Sequence, residues 1–324
     1  MKKILFRADA KPLIGIGDLM SLITLSEYLS EFDCFFLTQQ TAAAKGVVEQ
    51  RKPKNVFWLN ENANVEEDVT AINMLIDEYG IDMLFFEITE RKLTEYIGLN
   101  NNIPTLCVNF DGFIPESIKL VINWDVDAYK YYDINKLPDT KFLLGPKYVI
   151  LPKAFYSDDI KNRKYSAARK KILIAMGGAD EFDFTSKVAH AIGCEGRELV
   201  IIVGAGYEKK AKLEDDLNKR GIKYEIKVNI NDMLSEYLAC DFAIGAGGLT
   251  SSELVASKTP CALIATYEHQ VARCKYFENE RVAKYLGFRS FNDEELNVLI
   301  NEFCPNFGNG IFNTMDLVDV LCKI

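Results

Sequence analysis

Short apolar segments alternate with amphipathic ones along the first half of the chain. The apolar run Lys3–Ala8 predicts a β-strand, and Leu19–Glu31, whose leucines recur at helical spacing, predicts a helix. The same order continues with strands predicted at Cys34–Leu37, Val56–Leu59, Met83–Phe86, Thr105–Val108 and Leu120–Asn123, and helices predicted at Thr41–Arg51, Val65–Tyr79 and Lys92–Leu99. This repeated order predicts a largely parallel sheet covered by helices on both faces.

A polar, charged stretch at 156–169 interrupts the pattern, and we interpret it as an interdomain linker. Beyond it, strands are predicted at Lys171–Ala175, Leu199–Val203, Tyr224–Val228, Phe242–Ile244 and Cys261–Ala265, and helices at Phe184–Ile192, Glu208–Arg220, Ile230–Leu238, Thr250–Ser257 and Gln270–Tyr285. We therefore predict an α/β protein with two Rossmann-like doubly wound domains, 1–155 and 170–324, facing a cleft. Its last helix could return to the N-terminal domain. Ligands bind at the carboxyl ends of such strands, so the cleft is the expected site.

Composition and charge exclude several classes of binding partner and cofactor. The 324 residues suit two domains, and the formal net charge of −9 argues against a nucleic-acid or anionic membrane partner. No apolar run approaches the roughly 20 residues of a membrane span, and the N-terminus does not resemble a secretory signal. The eight cysteines form no C-x-x-C pair and are interpreted as reduced thiols of a cytoplasmic protein. With only two histidines, no metal site or cofactor is expected.

Two glycine-containing loops follow predicted strands. In the first, 7–18, Gly15 and Gly17 would allow close backbone approach to a ligand, or would simply provide a flexible connection. In the second, 176–180, Gly177 and Gly178 fit a phosphate or sugar lying against bare backbone, or a tight turn. Neither loop contains the G-K-[ST] ending of a P-loop.

A third loop, 244–253, leads through three glycines into a predicted helix. Backbone amides beside Gly247 and Gly248, with the Thr250 hydroxyl, could surround a diphosphate, and Glu253 could accept both hydroxyls of a ribose. The alternative is that Thr250 caps the helix and Glu253 completes a capping box. After the next predicted strand, His269-Gln270 could contact a base or sugar, or start a helix.

These loops, in this order, resemble the PseG family, which is also found in spore-coat polysaccharide clusters. The resemblance is carried by KILFRADAKPLIGIGD, LGPKYVIL, MGGAD and FAIGAGGLTSSE followed by HQ. Members look like MurG-type GT-B glycosyltransferases and hydrolyse a UDP-linked diacetamido-trideoxy-altrose on the way to pseudaminic acid. The resemblance implies that the C-terminal domain binds the nucleotide and the N-terminal domain the sugar. It implies ligand contacts for Gly15, Gly17, Gly247, Gly248, Thr250, Glu253 and Gln270.

The sequence departs from the family on the sugar side. Asp18 replaces the usual catalytic histidine, Ser21 replaces an arginine, and Glu87–Thr89 align with an Asp-His-Tyr segment. A carboxylate can activate water in an inverting hydrolysis, so Asp18 is the candidate base. The alternative is that Asp18 is only the N-cap of its helix.

The sequence thus predicts a UDP-sugar hydrolase-like protein that releases UDP from a UDP-linked amino or deoxy sugar, in pseudaminic-type acid or surface polysaccharide biosynthesis. The alternatives are a glycosyltransferase on the same scaffold and an inactive nucleotide-sugar-binding homologue. The expected partners are a small-molecule nucleotide-sugar and other enzymes of a surface-sugar pathway. Neither nucleic acid nor stable membrane insertion is expected.

Overall fold

The computed structural model describes residues 1–11, 15–100, 102–164, 168–178, 180–192, 196–204, 206–308 and 311–324. The chain divides into two compact units. The N-terminal unit comprises Met1–Lys153 together with Phe312–Ile324, and the C-terminal unit comprises Ala154–Ile311. The described cysteines are free thiols, and Cys194 lies outside the described residues.

The N-terminal unit is a parallel α/β unit. Its elements are β1 (Lys2–Ala8), α1 (Gly17–Ser26), β2 (Phe32–Gln39), α2 (Ala42–Arg51), β3 (Val56–Leu59), α3 (Val65–Tyr79), β4 (Met83–Glu87), β5 (Thr105–Val108), β6 (Ile118–Asn123) and β7 (Lys141–Leu144). The described strands pair in parallel in the order β3-β2-β1-β4-β5-β6-β7. The chain therefore winds to one side of β1 and then to the other, which creates a switch point between β1 and β4.

The C-terminal unit repeats this winding. A short helix α4 (Asp158–Lys161) precedes β8 (Lys171–Ala175), α5 (Phe184–Ala191), β9 (Glu198–Val203), α6 (Lys210–Lys219), β10 (Lys223–Val228), α7 (Met233–Ala239), β11 (Phe242–Ala246), α8 (Leu249–Ala256), β12 (Cys261–Ala265), α9 (His269–Asn279), β13 (Lys284–Phe288) and α10 (Asp293–Glu302). The strand order is β10-β9-β8-β11-β12-β13, again parallel, with its switch point between β8 and β11. The prediction of two Rossmann-like α/β units is confirmed.

The chain segments that join the units each pack on one of them. In the predicted linker, of which 165–167 lie outside the described residues, the Arg163 guanidinium donates to the Ser257 carbonyl at 2.6 Å and the Tyr237 carbonyl at 2.9 Å. The last helix, α11 (Thr314–Leu321), belongs to the N-terminal unit, where the Thr314 hydroxyl donates to the Val149 carbonyl at 3.1 Å.

Three predicted helices are wrong in type or length. Lys92–Leu99 contains only a single 3₁₀ turn at Leu93–Glu95, because Asn73 of α3 donates to the Gly98 carbonyl at 2.9 Å and holds the segment open. The helix predicted at Gln270–Tyr285 ends at Asn279. Arg281 then adopts a left-handed conformation, which reverses the chain into β13.

The helix predicted at Leu19–Glu31 is also shorter, because α1 ends at Ser26. The Ser26 hydroxyl donates to the Ile23 carbonyl at 2.6 Å, and the Glu27 amide closes a tighter turn onto the Thr24 carbonyl at 3.2 Å. Local hydrogen bonds of this kind compete with continued helix, so the apolar spacing alone overestimated its length.

A buried ion network fixes the loop after β4 to the rest of the N-terminal unit. Arg7 of β1 is fully buried and contacts Asp9 at 2.8 Å and Asp68 of α3 at 2.7 Å. Arg91, from the loop after β4, reaches the same Asp68 oxygen at 3.0 Å. Burial disfavours the Arg7 charge, but Asp9 and Asp68 outweigh it and raise the pKa of Arg7.

Replacing Asp68 with alanine should destabilise the N-terminal unit by about 3–5 kcal/mol, because the buried Arg7 loses a partner. The measurement is the midpoint of urea unfolding of the full chain. Asp133→Ala provides the control, since Asp133 pairs with Lys136 at 3.2 Å on the exposed surface. Equal unfolding midpoints for the two variants would contradict the network's structural role.

Candidate functional site

A cavity of about 220 Å³ lies in the C-terminal unit, where β8, β11 and β12 end. The loops that follow these neighbouring strands supply its walls. Its lining consists of Met176, Gly177, Gly178, Asp180, Glu181, Phe182, Ala246, Gly248, Leu249, Thr250, Thr266, Tyr267 and Gln270. The cavity thus occupies the carboxyl edge of the sheet at the switch point, where ligands bind in doubly wound folds.

The turn after β8 exposes bare backbone to this cavity. Gly177 has a φ of +90°, and a Cβ at either Gly177 or Gly178 would meet open space. The backbone of Gly178 packs against Gly204, the residue that follows β9. A Cβ at Gly204 would lie 2.0 Å from the Gly178 carbonyl oxygen. Sequence reasoning missed Gly204, although a glycine directly after an apolar strand was a usable signal. Ala179 of the same loop lies outside the described residues.

Gly247 and Gly248 have different roles in the turn after β11. The Gly247 amide donates to the Ile264 carbonyl at 2.9 Å, and a Cβ there would lie 2.5 Å from Cys274 Sγ. Gly247 therefore allows α9 to pack closely, and the cavity lining does not include it. Gly248 precedes α8 and lines the cavity with Thr250, so these two predicted contact residues are brought together there.

Gln270 lies in the first turn of α9 and is buried. Its Oε1 accepts from the Thr266 amide at 2.9 Å and from the Thr266 hydroxyl at 3.1 Å, which fixes the loop after β12. A Cβ at Gly248 would lie 3.5 Å from Gln270 Nε2. Gln270 therefore links the loops after β11 and β12 as well as lining the cavity.

Glu253 contacts a tyrosine of the neighbouring helix. Its Oε2 accepts from the hydroxyl of Tyr237, a fully buried side chain of α7, at 2.8 Å. Burial raises the pKa of Glu253, and the Tyr237 hydrogen bond partly offsets this. The capping-box interpretation is wrong, because α8 begins at Leu249 after Gly248 and no side chain caps it in the described structure. Glu253 lies outside the cavity lining.

The cavity lining has an acidic and aromatic character. Among the described lining residues, Asp180 and Glu181 are charged and no lysine, arginine or histidine occurs. Phe182 and Tyr267 meet edge to face with ring centroids 5.8 Å apart, and the Tyr267 hydroxyl donates to Glu181 at 3.3 Å. An anionic group bound here would therefore depend on backbone amides and the Thr250 hydroxyl.

The N-terminal unit holds the other predicted site residues. The Gly15 amide donates to the Lys11 carbonyl at 2.8 Å, so this amide is already used, and residues 12–14 between them lie outside the described chain. Gly17 begins α1, and a Cβ there would meet open space.

Asp18 lies in the first turn of α1 and contacts the loop after β4. Its Oδ2 accepts from the Thr89 amide at 2.9 Å and the Thr89 hydroxyl at 2.8 Å. The N-cap position is Ile16, so the interpretation of Asp18 as the helix cap is wrong. Burial raises the pKa of Asp18, the Thr89 hydrogen bonds lower it, and the carboxylates of Asp9 and Glu90 raise it further. A carboxylate with a raised pKa suits a general base.

Within the described residues, no group of three or more histidine, cysteine, aspartate or glutamate side chains is arranged to hold a metal ion. None of the described helices combines the length and apolar character needed to span a lipid bilayer.

No family model matches the sequence. Two curated proteins are similar to it. The uncharacterized protein MJ1062 of Methanocaldococcus jannaschii is 24% identical over 84% of this chain and 57% of its own length. The spore coat polysaccharide biosynthesis protein SpsG of Bacillus subtilis is 27% identical over 48% of this chain and 47% of its own. The chain thus spans about half the length of the curated relatives it matches.

Solved structures of two proteins share the fold over almost all of both chains. MurG of Acinetobacter baumannii superposes with a TM-score of 0.64 at 14% identity, covering 100% of each chain. The UDP-GlcNAc 2-epimerase of Methanocaldococcus jannaschii superposes with a TM-score of 0.69 at 13% identity, covering 99% of this chain and 100% of its own. At these identities the similarity establishes the two-domain Rossmann-like α/β fold of the GT-B class.

Gly204→Ala should destabilise the C-terminal unit by about 1–3 kcal/mol, because the added methyl group would overlap the Gly178 carbonyl. The change is measured by urea unfolding of the full chain. Gly308→Ala is the matched control, since a Cβ at Gly308 would meet open space. Unaltered stability of the Gly204 variant would mean that the β8 turn does not rest on this residue.

Proposed function

We propose that the chain binds a UDP-linked sugar and holds its nucleotide part in the cavity of the C-terminal unit. The observation that carries the proposal is the bare backbone of Gly177–Gly178 and of Gly248, which line one cavity at the switch point. A pyrophosphate can lie directly against peptide nitrogens at such turns, and the N-terminus of α8 favours negative charge. Neighbours of the same fold include a UDP-GlcNAc 2-epimerase, which supports this ligand class.

Each contact in the proposed complex has a distinct chemical basis. The Thr250 hydroxyl and the first amides of α8 donate to the diphosphate, and Gln270 contributes its amide group beside them. Glu253 is the proposed acceptor for the ribose hydroxyls, and the Tyr237 hydrogen bond orients its carboxylate.

Gly15 and Gly17 are proposed to border the diphosphate. Phe182 and Tyr267 add apolar surface to a cavity without side-chain cations in its described lining.

The reaction we propose is hydrolysis of the glycosyl bond. Asp18 takes a proton from water, the water oxygen bonds to the anomeric carbon, and UDP leaves with the electrons of the broken carbon–oxygen bond. The pair of Thr89 hydrogen bonds supports this assignment, because it orients the Asp18 carboxylate. The similarity to SpsG supports a place in surface polysaccharide or pseudaminic-type sugar biosynthesis.

Transfer of the sugar to an acceptor is the second candidate function. The fold shared with MurG favours it, because the same scaffold could bind an acceptor in place of water. UDP release that requires an added acceptor would identify transfer, and UDP binding without release would identify a binding protein.

Gly178→Ala and Thr250→Val should each weaken UDP binding about tenfold. The first places a methyl group in the cavity, and the second removes a hydroxyl donor without changing the side-chain volume. Isothermal titration calorimetry with UDP measures both effects. Gly308→Ala again serves as control and should bind like the wild type. Wild-type affinity in both cavity variants would contradict the proposed position of the diphosphate.

Asp18→Asn should lower the rate of UDP release from UDP-linked amino sugars at least about 100-fold, because the amide cannot accept the proton. The amide oxygen can still accept from Thr89, so the fold is expected to persist. A coupled assay for UDP, with calorimetry of UDP binding alongside it, separates turnover from binding. An Asp18→Asn variant as active as the wild type would remove Asp18 from the mechanism.

A further inference from the structure

A buried carboxyl group at the end of β4 has no part in the reaction proposed above. Glu87 is the last residue of this central strand, only 4% exposed, between Ala8 of β1 and Val108 of β5. Its Oε2 atom has no hydrogen-bond partner among the described residues. A buried polar atom without a partner is costly, and such atoms in native structures call for an explanation.

The groups that face Glu87 come from α1. Asp18 and Ser21 lie three residues apart and therefore share one face of this helix. The Ser21 hydroxyl is likewise buried without a partner of its own. The neighbours on β1 and β5, Ala8 and Val108, are not ionisable.

Nearby cations are already engaged elsewhere. Arg7 and Arg91 contact Asp68, and Lys11 pairs with Glu90 in the loop after β4. Asp9 and Glu90 add negative charge around Asp18. The charge of Asp18 therefore acts on Glu87, and in the described structure no cation forms an ion pair with either carboxyl group.

Two such carboxyl groups cannot both carry a charge at low cost, so one of them holds a proton. Asp18 accepts two hydrogen bonds from Thr89, and these favour its charged form. Glu87 has neither donor and is more deeply buried. Burial and the charge of Asp18 hold the pKa of Glu87 well above its ordinary value.

We propose that Glu87 is a neutral carboxylic acid at neutral pH and that it keeps the negative charge of the pair on Asp18. Glu87 is thus a positioning residue, since its carboxyl group is closed to substrate and acts through Asp18. Its effect on turnover rests on the proposed function, whereas its protonation does not. When Glu87 ionises in alkaline solution, a second negative charge appears near the Asp18 carboxylate and repels it.

The protonation state has a defined effect on stability. The pKa of Glu87 is higher in the folded chain than in the unfolded chain, so folding favours the protonated form. This stabilisation is complete below the unfolded pKa of about 4.3 and is lost as pH rises through the folded pKa. Glutamine stays neutral, so the unfolding midpoint of Glu87→Gln relative to the wild type should rise as the pH increases above about 4.3 and should level off above the folded pKa.

Infrared spectroscopy of the full chain at neutral pH is the direct test. The wild type, with carbon-13-labelled glutamate, should show the carbonyl band of a protonated carboxylic acid, and Glu87→Gln should lack the part of this band that comes from Glu87. Glu90→Gln is the matched control on the same loop, because Glu90 is partly exposed and paired with Lys11. This control should retain the band.

Absence of the band from the wild type, or a band of equal intensity in Glu87→Gln, would overturn the inference even if that variant folds poorly. In the UDP-release assay, Glu87→Gln should also remove the change in rate that Glu87 ionisation causes in alkaline solution, and a pH profile identical to that of the wild type would exclude the effect on Asp18. A wild type that shows the band but releases no UDP would instead refute the proposed hydrolysis.

Discussion

Close backbone packing at the strand ends of the C-terminal unit is the constraint on which the candidate site depends. The Gly178 carbonyl lies where a side chain at Gly204 would have to be, and Cys274 occupies the corresponding space beside Gly247. These contacts pack the loop after β8 against Gly204, which follows β9, and the turn after β11 against α9. The peptide backbone around Gly248 is left facing a cavity, which is the arrangement a pyrophosphate requires.

In the N-terminal unit, a buried ion network holds the loop at the end of the central strand, whereas close packing at glycines holds the corresponding loops of the C-terminal unit. The buried Arg7 and Asp68 hold the loop after β4, and that loop delivers the Thr89 amide and hydroxyl to Asp18. The same strand end carries Glu87 behind Asp18. The two carboxyl groups therefore occupy different environments, one hydrogen-bonded and partly open and the other closed. Unequal environments are what allow two chemically similar acids to take different protonation states.

Sequence reasoning recovered the described strands except β7 and β13, their alternation with helices and the two Rossmann-like units, because apolar periodicity reports burial directly. It overestimated the helix at Gln270–Tyr285, since the left-handed turn at Arg281 leaves no mark on the apolar pattern. The packing of Gly247 against Cys274 was not foreseen, because this contact joins residues far apart in the sequence. The partners of Asp18 and Glu253 were also beyond its reach, because both contacts join residues from separate elements.

The central claim is that exposed peptide nitrogens at the strand ends of the C-terminal unit bind the pyrophosphate of a UDP-sugar. Amide chemical shifts of the full chain, followed by NMR during titration with UDP, test it most directly. The account predicts that Gly177, Gly178, Gly248, Leu249 and Thr250 shift together with a single affinity, while Gly46 of α2 does not move. Saturating UDP that leaves these five amides unperturbed would contradict it.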